Sequence, residues 1–205
     1  MSKPKGLYLI QEKGCLNPYA GAFQHISMGV NQLSYTFNIS PYLSDKKIDL
    51  NNFKVSSSCN ENITRSSSRG NYFYGTLKDL LILLKNLKSL FKLIRLYKEE
   101  NIEFVYERAS YLNYSGLLAC KYLKIPHFYE ANGLQFKSRK KYYDSCFFYI
   151  AKWLERKSYS YSDYSFFVGT YGDFWNIKKA SWANVENGIE ASRILPLETP
   201  KKGNN

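Results

Sequence analysis

The chain has 205 residues, 44% of them hydrophobic and 22% charged. That balance excludes a disordered or collagen-like chain and bounds the protein at one ordinary domain, or a domain with a tail. Lysine and arginine outnumber aspartate and glutamate by 29 to 17, and the net charge of +12, spread over both halves, favours phosphates, acidic lipid or nucleic acid as partners.

Residues 6–10 are short, apolar and bounded by glycine and charge, which predicts a buried strand. A loop with Gly14, Asn17 and Pro18 follows. Residues 20–33 carry Phe23, Ile26, Val30 and Leu33 at helical spacing. Residues 35–39 predict a second strand, stopped ahead of Pro41. Residues 40–76, with their two serine triplets, read as an irregular insertion. The strongest helix covers 77–100. Its Leu77, Leu80, Leu81, Leu84, Leu87, Phe91 and Ile94 follow the i, i+3, i+4, i+7 rule and are expected to cover a face of the sheet. Then come a strand at 103–107, a helix at 111–123, a strand at 127–131, one long helix at 140–161, and strands at 165–168 and 182–186. Strands alternating with helices at this spacing predict an α/β fold. The expected architecture is a single doubly wound parallel sheet of about six strands, Rossmann-like.

The cysteines Cys15, Cys59, Cys120 and Cys146 have long, irregular gaps and no C-x-x-C. No zinc or redox motif is present, and reduced thiols in a cytosolic protein are expected. No apolar signal segment follows residues 1–5, and charged or polar residues break every apolar run short of about 18 residues, so no membrane span is expected.

In an open parallel sheet, ligands sit beyond the carboxyl ends of the strands. The residues that follow each strand are therefore the candidate site. After the first strand, Tyr19 and Gly21 stand near a helix start, where backbone N–H groups can meet a phosphate or sugar. The full G-x-G-x-x-G pattern is absent, so a dinucleotide has weak support. Arg108 follows the third strand as an anion clamp or hydroxyl partner. Glu130, Asn132 and Gly133 close the next, with Glu130 and Asn132 expected on opposite sides of the strand and one of them facing the cleft. Thr170 follows the fifth strand. His25 and His127, the two histidines, are expected to be satisfied or solvated rather than catalytic. No D-x-D occurs, and no catalytic residue or metal ligand is assigned.

Four segments together resemble the N-terminal, acceptor-side half of a family 4 retaining glycosyltransferase of GT-B architecture. They are Phe23-Gln24-His25-Ile26, then Val105-Tyr106-Glu107-Arg108, then Ile125-Pro126 through Glu130-Ala131-Asn132-Gly133. The fourth is Glu155-Arg156 through Tyr161-Ser162-Asp163-Tyr164, Phe167-Val168-Gly169-Thr170 and Val185-Glu186-Asn187-Gly188-Ile189-Glu190. The resemblance implies a Rossmann-like domain over 1–190, with the insertion at 40–76 and a polar tail at 191–205. It implies an acceptor cleft of Tyr19, Gly21, Arg108, Glu130, Asn132, Gly133 and Thr170, and an inter-domain turn at Asn187 and Gly188. Many members have histidine where Asn132 stands, and asparagine can hydrogen-bond a hydroxyl but cannot serve as an acid or base.

The resemblance implies that a hexosyl group passes from a nucleotide sugar to a polysaccharide or lipid-linked acceptor. No cofactor is expected beyond the nucleotide sugar, bound mainly by a donor domain that this chain is expected to lack, so the chain alone is expected to be inactive. Two literal Glu-x7-Glu matches, Glu99/Glu107 and Glu190/Glu198, lie in the wrong context for the family's donor signature. The partners implied are an acceptor glycan or lipid-linked sugar, a separate donor-domain subunit, and an anionic membrane surface met by Lys78, Lys85, Lys88, Lys92, Arg95, Lys137, Arg139, Lys140 and Lys141. The location is cytoplasmic, with a peripheral position on the inner membrane face left open. Two other readings stay open: a non-catalytic binding module from a truncated or split gene, and a basic nucleic-acid-binding domain. The second is disfavoured because the aromatics fall at core positions and RRM, KH and zinc signatures are missing.

Overall fold

The computed structural model describes residues 2–16, 21–50, 72–175, 177 and 181–185. The elements are β1 (Lys5–Ile10), a 3-10 turn (Lys13–Leu16), α1 (Gly21–Thr36), β2 (Asn38–Leu43), β3 (Lys46–Lys47), α2 (Tyr72–Glu99) and β4 (Phe104–Arg108). They continue with α3 (Ser115–Leu123), β5 (His127–Ala131), α4 (Gln135–Lys140), α5 (Phe148–Tyr161), β6 (Tyr164–Val168), α6 (Tyr171–Trp175) and β7 (Trp182–Val185).

The strands form one sheet in the order β3-β2-β1-β4-β5-β6-β7. Every pairing is parallel except the short β2/β3 contact. The chain runs outward from β1 to β2, then crosses back to β4 on the other side of β1. The strand order therefore reverses between β1 and β4, the place where doubly wound sheets open a crevice at their carboxyl ends. This is the doubly wound, Rossmann-like layer expected from the alternation of strands and helices.

Two faces follow from the period-2 alternation of side chains. On one, Tyr8 and Ile10 pack with Ile26 and Val30 of α1, and Phe23 and Leu33 lie against them. On the other, Leu7, Leu9 and Val105 meet Leu93 and Tyr97 of α2 and Ala119 and Cys120 of α3. Farther along that face, Tyr129, Ala131 and Phe167 meet Ala151 and Tyr159 of α5 and Trp175 of α6. Tyr8, Tyr97, Tyr129 and Phe167 are the largest fully buried side chains. Each contributes on the order of 2 kcal/mol by leaving water.

The second strand departs from expectation. Tyr35 and Thr36 belong to α1, and β2 runs through Pro41. The Pro41 carbonyl accepts from the Ile48 N–H at 3.0 Å on the outer side of β2. The N and C=O of one strand residue point the same way, so the missing N–H also faces outward and costs the β1 ladder nothing. Residues 40–47, expected to be irregular, therefore supply strand pairing, and α2 begins at Tyr72 inside the expected insertion. Residues 51–71 of that insertion and the expected tail at 191–205 lie outside the described residues.

The helix α2 buries a different stripe from the one expected. Gly75, Asp79, Asn86, Leu93 and Tyr97 face inward, whereas Leu77, Leu80, Leu81, Leu84, Leu87 and Phe91 are exposed. The reason lies in Asp79, which is fully buried. Its two oxygens accept from Tyr143 Oη at 2.7 Å and Tyr111 Oη at 2.8 Å. Gly75 lets the backbone of Asp144 approach so closely that a Cβ there would lie 2.3 Å from its carbonyl oxygen. The same contact breaks the long helix expected over 140–161. Tyr143 must leave helical geometry to reach Asp79, so α4 and α5 are separate. Glu155 of α5 then accepts from the backbone N–H of Gln135 and Phe136 at the start of α4, at 3.1 and 3.0 Å, and from Tyr159 Oη at 2.8 Å. Burial pushes its carboxyl up to about 7, against the pull of those three donors.

Beneath the carboxyl rim, on the α2/α3 face, Glu107 and His127 form a fully buried pair at 2.8 Å. Ser162 Oγ donates to the Ser158 carbonyl at 2.7 Å, so at its 3.0 Å contact with His127 Nδ1 it accepts, and Nδ1 carries the proton. His127 Nε2 in turn lies 2.8 Å from Glu107 Oε2. Asn113 and Gln11 donate to the remaining oxygen. Gly116 of α3 gives the carboxylate its space, for a Cβ there would sit 2.2 Å from Glu107 Oε2. Replacing Gly116 with alanine is therefore expected to lower the unfolding free energy by about 1–3 kcal/mol in urea denaturation. Gly29→Ala in α1 is the contrast. Its Cβ would meet only the Tyr8 ring at an ordinary 3.5 Å, and a gain of about 0.5–1 kcal/mol is expected.

Candidate functional site

The carboxyl ends of β1, β4 and β5 converge with α1 on one buried carboxylate. Glu130 lies opposite Arg108 in the β4/β5 register. Its Oε1 accepts from Arg108 Nη1 at 2.8 Å, from His25 Nε2 at 3.1 Å and from Asn132 Nδ2. Its Oε2 accepts from Tyr106 Oη at 3.0 Å and Tyr8 Oη at 3.2 Å. Glu130 and Asn132 are two residues apart and so point to the same side of the strand, which corrects the expectation that they face opposite ways.

Burial alone would push the Glu130 carboxyl up. The hydrogen bond from His25, the charge of Arg108 and the bond from Asn132 outweigh it and hold the group at about 2. The reverse holds for the phenols. Burial and then the Glu130 charge raise the Tyr8 and Tyr106 hydroxyls, so both stay protonated donors. Cys15, in the turn after β1, lies beside Arg108, and burial pushes its thiol up. With five donors on it, Glu130 has no lone pair to spare for proton transfer. Its role is to hold Arg108, His25 and Asn132 in place. The guanidinium has five N–H donors, more than Glu130 and Cys15 use, and His25 retains 24% of its side-chain exposure. Arg108 is buried, whereas His25 and Asn132 are partly exposed and can meet hydroxyls or an anion.

The structure brings Arg108, Glu130 and Asn132 into one bonded cluster. Gly133 follows directly, with φ of 134° in the turn that leads to α4. Gly21 opens α1, the helix that delivers His25, and nothing lies within 4 Å of where its Cβ would be. Thr170, exposed after Gly169 at the end of β6, makes no bond to the cluster. Tyr19, Asn187 and Gly188 lie outside the described residues. Tyr8, His25 and Tyr106 belong to the cluster and were not among the expected site residues. The alternation that puts Tyr8 and Tyr106 on the Arg108 face was readable from β1 and β4, but the reach of His25 from α1 was not.

Across the sheet, on the α2 face of the same rim, lies a cavity of about 250 Å³ lined by Gln11, Glu12, Lys85, Asn86, Ser89 and Arg139, among others. It lies at the β1/β4 reversal and shares none of the expected cleft residues. The basic residues expected on a membrane surface take several roles. Lys85 and Arg139 line this cavity. Lys92 pairs with Asp45 at 2.7 Å, and Arg95 pairs with Glu99 at 2.7 Å. Lys78, Lys137 and Lys140 sit over the rings of Tyr143, Phe174 and Phe148. Lys88 and Lys141 are exposed. Among the described residues, no group of three His, Cys, Asp or Glu is placed to hold a metal, and no helix is long and apolar enough to cross a membrane.

No protein-family profile matches the chain, and no curated protein matches it. Among solved structures it is similar to MurG of Acinetobacter baumannii, with a TM-score of 0.46 and 10% identity over 95% of this chain and 48% of that one. It is also similar to MnaA of S. aureus in a co-structure with UDP, with a TM-score of 0.48 and 11% identity over 88% of this chain and 43% of that one. The chain thus spans less than half the length of either. Superpositions this loose carry no weight of their own. The fold rests on strand order and parallel pairing, which are those of a doubly wound, Rossmann-like sheet.

The Glu130 cluster sets an acid-side stability limit. A carboxyl lowered from its ordinary 4.5 to about 2 contributes stability that is complete above about 4.5 and is lost as pH falls through about 2. Urea unfolding of the wild type is expected to lose on the order of 3 kcal/mol across that window through this group. Glu130→Gln is expected to flatten that part of the profile. It also costs about 3–5 kcal/mol at pH 7, because the charge of Arg108 is left buried without its partner.

Proposed function

We propose that this chain is the acceptor-binding half of a retaining glycosyltransferase that moves a hexosyl group from a nucleotide sugar to a polysaccharide or lipid-linked acceptor. The observation that carries the reading is the cluster of Arg108, His25 and Asn132 held by Glu130 at the carboxyl rim, beside the β1/β4 reversal. A rigid set of donors at the open edge of a parallel sheet suits one task, the orientation of an acceptor hydroxyl or of a phosphate attached to it. Each of these side chains donates to Glu130, which supports reading this half as the one that positions the acceptor. The donor-binding half would come from further sequence or from a separate subunit.

The outer face of α2 supports a place for the work. Leu77, Leu80, Leu81, Leu84, Leu87 and Phe91 are exposed, with Lys78 and Lys88 beside them. Tyr142, Tyr149 and Trp153 are exposed on the segment that docks against the start of α2, where Cys146 N–H donates to Thr76 Oγ1. Apolar side chains interleaved with cations match an anionic lipid surface, each cation contributing about 1 kcal/mol near the headgroups.

Two measurements test the reading. Incubated alone with a panel of nucleotide sugars and acceptors, the chain is expected to give no transfer, and turnover would contradict the assignment of the donor site to another half. In sedimentation, vesicles containing phosphatidylglycerol are expected to carry the chain down at low salt and release it as salt rises. Leu80→Asp with Leu84→Asp is expected to abolish that binding while leaving the fold intact, since both side chains are exposed. Equal binding to neutral phosphatidylcholine vesicles, or none at low salt, would refute the membrane surface.

A further inference from the structure

Lipid contact asks of the outer face of α2 only that it be apolar and cationic. The order of its side chains is stricter than that. We propose that this face is a docking seam for a helix of a partner protein, amphipathic and acidic, with apolar side chains three and four residues apart and carboxylates on their flanks. The seam goes beyond the acceptor function, whereas its competition with lipid rests on the membrane reading.

Spacing is the first observation. Leu77, Leu80, Leu84, Leu87 and Phe91 stand at successive intervals of three, four, three and four residues, and each is between 41% and 66% exposed. At about 100° per residue they fall within an arc of roughly 80°, along about 21 Å of helix. Ile94, half-buried, continues the series. Leu81, also exposed, falls at the margin of the stripe. A stripe that narrow, at alternating steps of three and four, is the apolar seam of a coiled coil. A helix lying in a lipid interface needs no such register.

The second observation is that the fold does not use the stripe. The other side of α2 holds it in place, through the buried Gly75, Asp79, Asn86, Leu93 and Tyr97. None of the five stripe residues belongs to the hydrophobic clusters that pack the sheet.

Charge selects the partner. The helix exposes Lys78, Lys85, Lys88, Lys92, Arg95 and Lys98. Lys92 is answered by Asp45 and Arg95 by Glu99. The other carboxylate of the helix, Asp79, is buried on the far side and bonded to two tyrosines. Lys78, Lys85, Lys88 and Lys98 therefore have no carboxylate partner among the described residues. Lys88 borders the stripe, and Lys98 stands in line with it one heptad beyond Phe91. A second copy of the chain would bring the same cations against these, and like charges repel. Carboxylates flanking the apolar positions of a partner helix would answer them, as flanking charges do across a coiled coil. Helix and lipid would cover the same leucines, so a bound helix takes the chain off a membrane.

The test is a fluorescence-anisotropy titration of the full chain with labelled peptides about four heptads long. One carries leucine at the a and d positions and glutamate at e and g, which keeps it from pairing with itself. A second carries lysine at e and g, and a third scrambles the first. The glutamate peptide is expected to bind at low salt, about tenfold tighter than either of the others, and to weaken as salt rises. Leu84→Asp with Leu87→Asp is expected to weaken it at least tenfold with an unchanged thermal melt, since both side chains are exposed. Lys88→Glu is expected to weaken it about threefold. Tyr149→Asp with Trp153→Asp, exposed on α5, is expected to leave it unchanged. Saturating glutamate peptide is expected to release the chain from phosphatidylglycerol vesicles. No binding at low salt, or equal binding of the lysine or scrambled peptide, would overturn the seam. A dimer in sedimentation that Leu84→Asp with Leu87→Asp abolishes would give the face to a second copy and overturn it as well. A chain that binds the peptide but no vesicles would refute the membrane reading and leave the seam standing. Vesicle binding that saturating peptide leaves unchanged would refute the competition.

Discussion

The carboxylate of Glu130 is the constraint on which the rim depends. Carrying a charge out of water is costly unless donors replace the lost hydration, and here five side chains do so. They come from β1, β4, the N-terminal part of α1 and the residue after β5, so one carboxylate fixes the relative positions of three strands and a helix. Tyr8 and Tyr106 approach from below as stacked rings 5.1 Å apart, and their hydroxyls complete the cradle. Arg108, His25 and Asn132 approach from the rim side. The site is thus rigid for the same reason that it is soluble in the fold: every lone pair of the buried anion is occupied.

A second buried carboxylate works on the opposite face. Glu107 and Arg108 are neighbours in β4 and point to opposite sides of the sheet, so one strand feeds both networks. Glu107 is balanced by His127 from β5 and by Asn113 and Gln11, and α3 can approach it only because residue 116 is glycine. Asn113 and Gln11 also line the cavity. The polar wall of that cavity is therefore the outer surface of a buried, hydrogen-bonded core. The β1/β4 reversal presents two prepared polar surfaces, one on each side of the sheet.

Much of this was legible in the sequence. The short apolar run at 6–10 announced a strand because nothing in it competes with burial. Reading the residues after each strand found Arg108, Glu130 and Asn132, because topology alone decides that those positions lie on the rim. The faces of α2 were not legible. A helix with leucine at so many positions offers more than one apolar stripe, and Asp79 with its two tyrosines, together with Gly75 against Asp144, selects the inward one. Those partners lie 32 and 64 residues from Asp79, beyond any local pattern. The same long-range bond divided the helix expected over 140–161. Pro41 misled for another reason. Its cost in a strand depends on which side its nitrogen faces, and only the sheet order reveals that the side is outward.

The most direct measurement is a carboxyl-carbon NMR titration of the folded chain with Glu130 assigned. A signal that stays in its ionised position down to about pH 2 is the expected result, because the donors of Arg108, His25 and Asn132 overcome the burial that opposes them. A carboxyl that instead takes up its proton near the ordinary value of 4.5, or above it, would mean that the donors do not converge on this group, and the rim site would lose its anchor.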